Sequence, residues 1–143
     1  MLYKYRSLST LIALSLFVKV SFGQSITVNC LSSGQEGDCT SFIPAFCNSI
    51  ASSGNATILP FDNIARCFNT PDFEFKCDFT AWNNLPAPNG NVPNGVNCEA
   101  TMQLISELCP AGGNGQVVGA NFLFTLDPNA GECTQNEANG NPS

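Results

Sequence analysis

Apolar and polar residues alternate most regularly from Phe73 to Trp82. Phe73, Phe75, Cys77, Phe79 and Ala81 share one parity; Glu74, Lys76, Asp78, Thr80 and Trp82 share the other. A period of two predicts a strand with one dry face and one wet face, and it leaves a single indole on the wet side. Thr70-Pro71-Asp72 is turn chemistry between this run and the preceding DNIARCF, which predicts a β-hairpin. If Cys67 and Cys77 both face inward, the loop must hold an odd number of residues, because a shift of one residue would turn one strand over.

The remaining periodicities surround this hairpin. SITVNC (25–30) is a short β-branched run stopped by Ser32-Ser33-Gly34, and it predicts an edge strand. From Cys39, the spacing of Phe42, Ala45, Phe46 and Ile50 predicts an amphipathic helix with Asp38 or Thr40 as its cap. Pro44 falls in its first turn, and Ser52-Ser53-Gly54 ends it. After Trp82 the composition changes to NNLPAPNGNVPNG, a surface loop. Asn97 then caps a second helix with Ala100, Met102, Leu104, Ile105 and Leu108 on its apolar side and Cys109-Pro110 as its stop. Gly112, Gly113 and Gly115 read as a loop leading into QVVGANFLFTLD, where Phe122, Phe124 and Leu126 alternate with Leu123 and Thr125. Asp127 to Gly131 reads as a turn. This order predicts an α+β fold, a small antiparallel sheet packed against two helices.

Lys4 and Arg6 precede the apolar run LIALSLFV, with Ser21 and Gly23 placed as at a cleavage site, so residues 1–23 are expected to be a secretory signal peptide. The run is too short to span a bilayer, and no membrane insertion is expected. The domain is then expected over 24–133, with 134–143 a polar, Asn-rich disordered tail. Beyond residue 23 only Arg66 and Lys76 stand against eleven acids, a balance that disfavours nucleic acid and anionic lipid as partners.

Eight cysteines, Cys30, Cys39, Cys47, Cys67, Cys77, Cys98, Cys109 and Cys133, predict four disulfides in an exported chain. Cys39 and Cys47 are eight residues apart, roughly 12 Å along a helix, and Cys98 and Cys109 are further apart, so neither pair closes on itself. There is no CxxC pair and no His, which removes zinc-site spacing, and no cofactor is expected. Asn55-Ala56-Thr57 is a sequon in the loop after the first helix, which makes Asn55 a glycosylation candidate.

The absence of His also excludes Ser-His-Asp and Cys-His catalysis. An enzyme would have to use paired carboxylates about 5 to 9.5 Å apart. Asp72, Glu74 and Asp78 lie on or near the polar face, but Glu74 and Asp78 are roughly 13 Å apart along a strand, so Asp62 would have to close the gap. A carboxylate-only glycoside hydrolase is therefore the alternative, and a secreted effector or inhibitor that binds a protein is a third. Binding fits better: Trp82 offers an apolar ring to the C–H face of a sugar, while Asp78, Thr80, Asn83 and Asn84 offer acceptors and donors to its hydroxyls.

The blocks RCFNT, KCDFTAWN, NCEATMQLI, CPAGGNGQ and FLFTLDPNAGEC, with the order of the cysteines from Cys30 to Cys133, resemble those of small secreted glycan-binding proteins of mushrooms, the Y-three-like family. The resemblance implies a non-catalytic, lectin-like protein with a disulfide-linked α+β fold. It also implies amino-sugar-containing glycans or glycoproteins as partners, and allows a homodimer.

Overall fold

A computed structural model describes residues 24–52, 57–86, 88 and 90–138. The expected signal peptide at 1–23 and the sequon residue Asn55 lie outside the described residues, as does 139–143. Five strands, β1 (Ile26–Cys30), β2 (Asn63–Asn69), β3 (Phe75–Asn83), β4 (Gly113–Val117) and β5 (Phe122–Ala130), form one sheet in the order β1-β4-β5-β3-β2. Every pairing is antiparallel. The helices α1 (Ile43–Ala51), entered through a 3-10 turn at Thr40–Phe42, and α2 (Gly95–Leu108) pack on one face. The α+β arrangement of two helices on a small antiparallel sheet is therefore present, and β1 is an edge strand as its pattern predicts.

The inner face is built by the alternation seen in the sequence. Cys77, Phe79 and Ala81 of β3 and Phe122, Phe124 and Leu126 of β5 are buried under Ile43, Phe46 and Ile50 of α1 and Met102 and Ile105 of α2. Phe46 stacks on Phe79 with ring centroids 5.2 Å apart, and Phe68 meets Phe79 edge-on at 5.5 Å. Burying each such side chain contributes about 1.5 to 3 kcal/mol. The expected position of Pro44 in the first turn holds, but the cap of α1 is Phe42 rather than Asp38 or Thr40, and the Asp38 carboxylate instead accepts from the Thr40 amide (2.9 Å) ahead of the 3-10 turn.

Four disulfides join Cys30 to Cys109, Cys39 to Cys77, Cys47 to Cys98 and Cys67 to Cys133. The first fastens β1 to the end of α2, the second fastens the start of the 3-10 turn to β3, and the third joins α1 to α2. The fourth lies on the opposite side of the sheet. Asn69 pairs with Lys76, which leaves an even hairpin loop, so Cys67 lies across from Asp78 on the outer face while Cys77 faces the helices. The two cysteines therefore serve opposite faces, and the odd loop required for a shared inward direction does not occur. Phe73 is in the loop rather than the strand, left-handed (φ 57°) and 55% exposed.

Three further local expectations are corrected. The cap of α2 is Asn94, whose side chain accepts from the Asn97 amide, and Asn97 lies inside the helix. The Gly-rich stretch expected as a loop is β4. Its glycines are there because neighbours come close: a Cβ on Gly113 would sit 2.5 Å from the Asn29 carbonyl oxygen, and one on Gly115 would sit 2.8 Å from Thr101 Cγ2. The expected Asp127–Gly131 turn is instead the end of β5, which reaches Ala130. Past Leu126, β5 has no β4 partner, and a sheet tolerates Pro128 most readily where a strand has a free edge.

The segment expected as a tail begins with a short helix, α3 (Gln135–Ala138). Glu137 accepts from the Thr134 amide (2.6 Å), and the Thr134 hydroxyl accepts from the Glu137 amide (3.2 Å), a reciprocal capping box.

Gly113→Ala is expected to cost at least about 2 kcal/mol, since the β1 backbone must move to admit the methyl. Gly119→Ala, where a Cβ meets nothing within 4 Å, should cost only the strain of its φ of +82°. Chemical denaturation of the two variants checks the difference.

Candidate functional site

With both long helices on the inner face, the other parity of every strand faces outward. Cross-strand register sets these residues in rows. Trp82 lies between Asn63 of β2 and Leu123 of β5, with Gln116 and Thr27 paired further along the same side of the sheet. The next row runs Asn29, Asn114, Thr125, Thr80 and Ala65 across all five strands. Beyond it, Asp127 pairs with Asp78 and Asn129 with Lys76. Adjacent strands are about 4.8 Å apart, so the rows form a regularly spaced array made mostly of amides and hydroxyls, with an aromatic ring at one end.

Three of the predicted site residues meet on this face. Trp82 is 39% exposed, and Thr80 and Asp78 follow it at alternate positions of β3. Asp78 Oδ2 accepts from the Asn129 amide at 2.9 Å and stands 3.5 Å from Lys76 Nζ. Asn84 is exposed just past the end of β3, its backbone N–H held by the Asn121 carbonyl (2.8 Å).

Asn83 does not join them. It is fully buried on the inner face, where its amide nitrogen donates to the Ile58 carbonyl (2.9 Å) and its oxygen accepts from the Leu85 amide (3.0 Å). Its side chain therefore holds together the chain segments on either side of the hairpin. The strand simply runs one residue beyond Trp82, and period two turns Asn83 inward.

Residues from β4 and β5 are the ones that sequence reasoning left out. Asn114, Gln116, Thr125, Asp127 and Asn129 all point outward, and the alternation N-G-Q and L-F-T-L-D-P-N carries that signal from the predicted strand into the flanking segments taken for a loop and a turn.

Electrostatics are concentrated at the corner beneath α3. Lys76 Nζ lies 2.7 Å from Glu137 Oε1, with side chains only 14% and 16% exposed. Burial opposes the charge on Lys76, but the hydrogen bond to Glu137 and the nearby Asp78 carboxylate outweigh it, raising its pKa above 10.5. The Lys76 hydrogen bond, with those from Thr134, lowers Glu137 from its ordinary 4.5 to about 2. Asp127 is raised, first by burial and then by the Asp78 charge opposite it.

The carboxylates that the hydrolase alternative would need do not assemble. Asp72 is in the hairpin turn, Glu74 precedes β3, and Asp62 precedes β2 at the far end of the hairpin. Asp78 has Asp127 as its acidic neighbour instead, but both stand side by side on an open sheet face. Glycoside hydrolysis needs two carboxyls flanking one bond from opposite sides, which this arrangement does not supply. A shallow hollow of about 530 Å³ on the helix side is lined by Glu36, Asp38 and Glu107 together with Thr40 and Ser106. Its two hydroxyls already bond each other at 2.8 Å, and the Asp38 pKa is lowered by the Thr40 hydroxyl and amide. Among the described residues no group of three or more His, Cys, Asp or Glu could hold a metal ion, and no helix is long and apolar enough to cross a membrane.

A family model described as "Glycan binding domain Y3" matches residues 38–133. The chain is also 33% identical over 99 residues to the antiviral protein CAP of Coprinus comatus, a match covering 68% of this chain and 93% of that protein.

Two outcomes test the geometry. Asn83→Ala should destabilise the fold by about 1 to 3 kcal/mol, by leaving the Ile58 carbonyl and Leu85 amide without their partner, whereas the exposed Trp82→Ala should change stability by less than about 1 kcal/mol; thermal melts decide it. The depressed Glu137 pKa means that its stabilisation is complete above pH 4.5 and lost as pH falls toward about 2. The raised Lys76 pKa means that its contribution is complete below pH 10.5 and lost as pH climbs beyond it. Protection factors of the α3 amides, taken against the intrinsic exchange rate at each pH, should therefore fall at both extremes, and Lys76→Met should abolish the alkaline loss and weaken the acid one, since the Thr134 bonds to Glu137 remain.

Proposed function

Since the chain belongs to the glycan binding domain Y3 family, we propose that it is a secreted, non-catalytic lectin whose outer sheet face binds amino-sugar-containing glycans. The observation that carries the reading is the exposed indole of Trp82, set beside rows of amides and hydroxyls at the end of the sheet away from the Lys76–Glu137 pair. A pyranose has an apolar C–H face and a polar rim, and an aromatic ring flanked by donors and acceptors matches both.

Trp82, Thr80, Asp78 and Asn84 are the proposed contacts from the hairpin, joined by Thr125 and Asn114 of the adjoining strands. The amide side chains favour an amino sugar, because an acetamido group presents one N–H and one C=O, and Asn or Gln can answer both. Export is supported by four disulfides with no free cysteine among the described residues, a pattern that persists in oxidising compartments. It fits a signal peptide at 1–23 ahead of the domain at 24–133. A homodimer would raise avidity for clustered glycans without any new contact.

Screening the mature protein on a glycan array tests the reading. Trp82→Ala should weaken binding to the preferred glycan at least about tenfold, and Asn114→Ala by a smaller factor. Native-like binding by Trp82→Ala would contradict it, and turnover of chitin or glucan fragments abolished by Asp78→Asn would favour a hydrolase instead.

A further inference from the structure

The end of the sheet that carries Trp82 holds a second exposed aromatic in an unfavourable backbone state. Phe61 is 71% exposed and left-handed, with φ 60°. Its amide donates to the Asn83 carbonyl (2.9 Å), and the Asn83 amide donates to the Asp62 carbonyl (2.9 Å). Two residues of one chain segment thus oppose one residue of β3, which is the bonding of a bulge whose left-handed first position is ordinarily glycine.

A phenylalanine there gains nothing from burial and carries the steric cost of a Cβ in the left-handed region. The Leu59 carbonyl accepts from the Asp62 amide (3.1 Å), so Pro60 and Phe61 are the central residues of a turn whose left-handed second centre is ordinarily glycine, and strain of this kind concentrates at binding sites. The bulge sets Phe61, just before β2, across from the residue after Trp82, so two exposed aromatics lie at the same end of the sheet.

We propose that Phe61 is a second stacking residue of the glycan site, contacting the sugar unit next to the one held by Trp82, so that the ligand is an oligosaccharide of at least two units. The inference rests on the Trp82 reading given above. It assigns Phe61 a specificity role: Trp82 supplies affinity for one unit, and Phe61 selects chains over single sugars.

Phe73 supplies a matched control. It is also left-handed (φ 57°) and 55% exposed, but it belongs to the hairpin turn at the opposite end of β3 from Trp82. Phe61→Gly and Phe73→Gly remove the same strain and the same exposed ring, so both should melt at or above the native temperature.

The native protein, Trp82→Ala, Phe61→Gly, Phe61→Tyr and Phe73→Gly are compared on an array carrying monosaccharides and oligosaccharides. The expected result is a loss of at least about fivefold in oligosaccharide binding for Phe61→Gly. Phe61→Tyr and Phe73→Gly should bind as the native protein does, and Trp82→Ala should lose binding to every glycan. Native-like oligosaccharide binding by Phe61→Gly, with binding lost in Trp82→Ala, overturns this inference and leaves the Trp82 reading standing. Equal loss in Phe61→Gly and Phe73→Gly also overturns it, by tracing the effect to the turns rather than to the site. Native-like binding by Trp82→Ala, or a native protein that binds no glycan, overturns the Trp82 reading and this inference together.

Discussion

The disulfides are distributed unequally between the two sides of the sheet, and the rest of the structure follows from that. Cys30–Cys109, Cys39–Cys77 and Cys47–Cys98 all lie among the helices and the inner face, whereas only Cys67–Cys133 lies outside. Each bridge typically contributes about 2 to 4 kcal/mol, comparable with a large part of a small domain's net stability. Both long helices are thereby held on one side over the phenylalanine layer. Among the described residues the outer side receives α3 alone, at the β2 corner, tied by Cys133 and by the Glu137–Lys76 pair.

An antiparallel sheet covered on one face must finish its other face with residues that accept water. Here that finish is mostly amide and hydroxyl rather than charge, and the charged residues gather near α3 at the far end from Trp82. Strand pairing fixes the spacing of the rows, so the proposed binding face is organised without a ligand, which would lower the ordering cost of binding there. The family membership and the geometry meet here: a glycan-binding domain needs a wet, hydrogen-bonding surface with an aromatic platform, and the open face offers both.

The hairpin and the direction of Trp82 were legible in the sequence because strict alternation over one strand determines its faces. The helices were legible from their apolar spacing, and the impossibility of pairing Cys39 with Cys47 followed from helix geometry alone. What was hidden depended on contacts between distant segments. Gly113 and Gly115 resemble a loop until the Asn29 carbonyl and Thr101 are seen pressed against them. Pro128 resembles a turn until β5 is seen to continue past the last β4 pairing. Asn83 looked like the start of a polar loop, although its parity with Ala81 already pointed inward. Thr134 and Glu137 have capping-box spacing, yet only Lys76 and the Cys67–Cys133 bridge together explain why that turn stays docked. The outer face was therefore seen as one strand wide, when its rows cross all five strands.

Amide chemical-shift mapping of the isotope-labelled mature protein, titrated with its preferred array glycan, tests the central claim most directly. The account predicts that the perturbed resonances cluster at Trp82 and its indole N–H, Thr80, Thr125, Asn114 and Phe61, with the helix amides undisturbed. Perturbations confined to the helix side, around Thr40, Ser106 and Glu107, with the Trp82 indole unmoved, would contradict it.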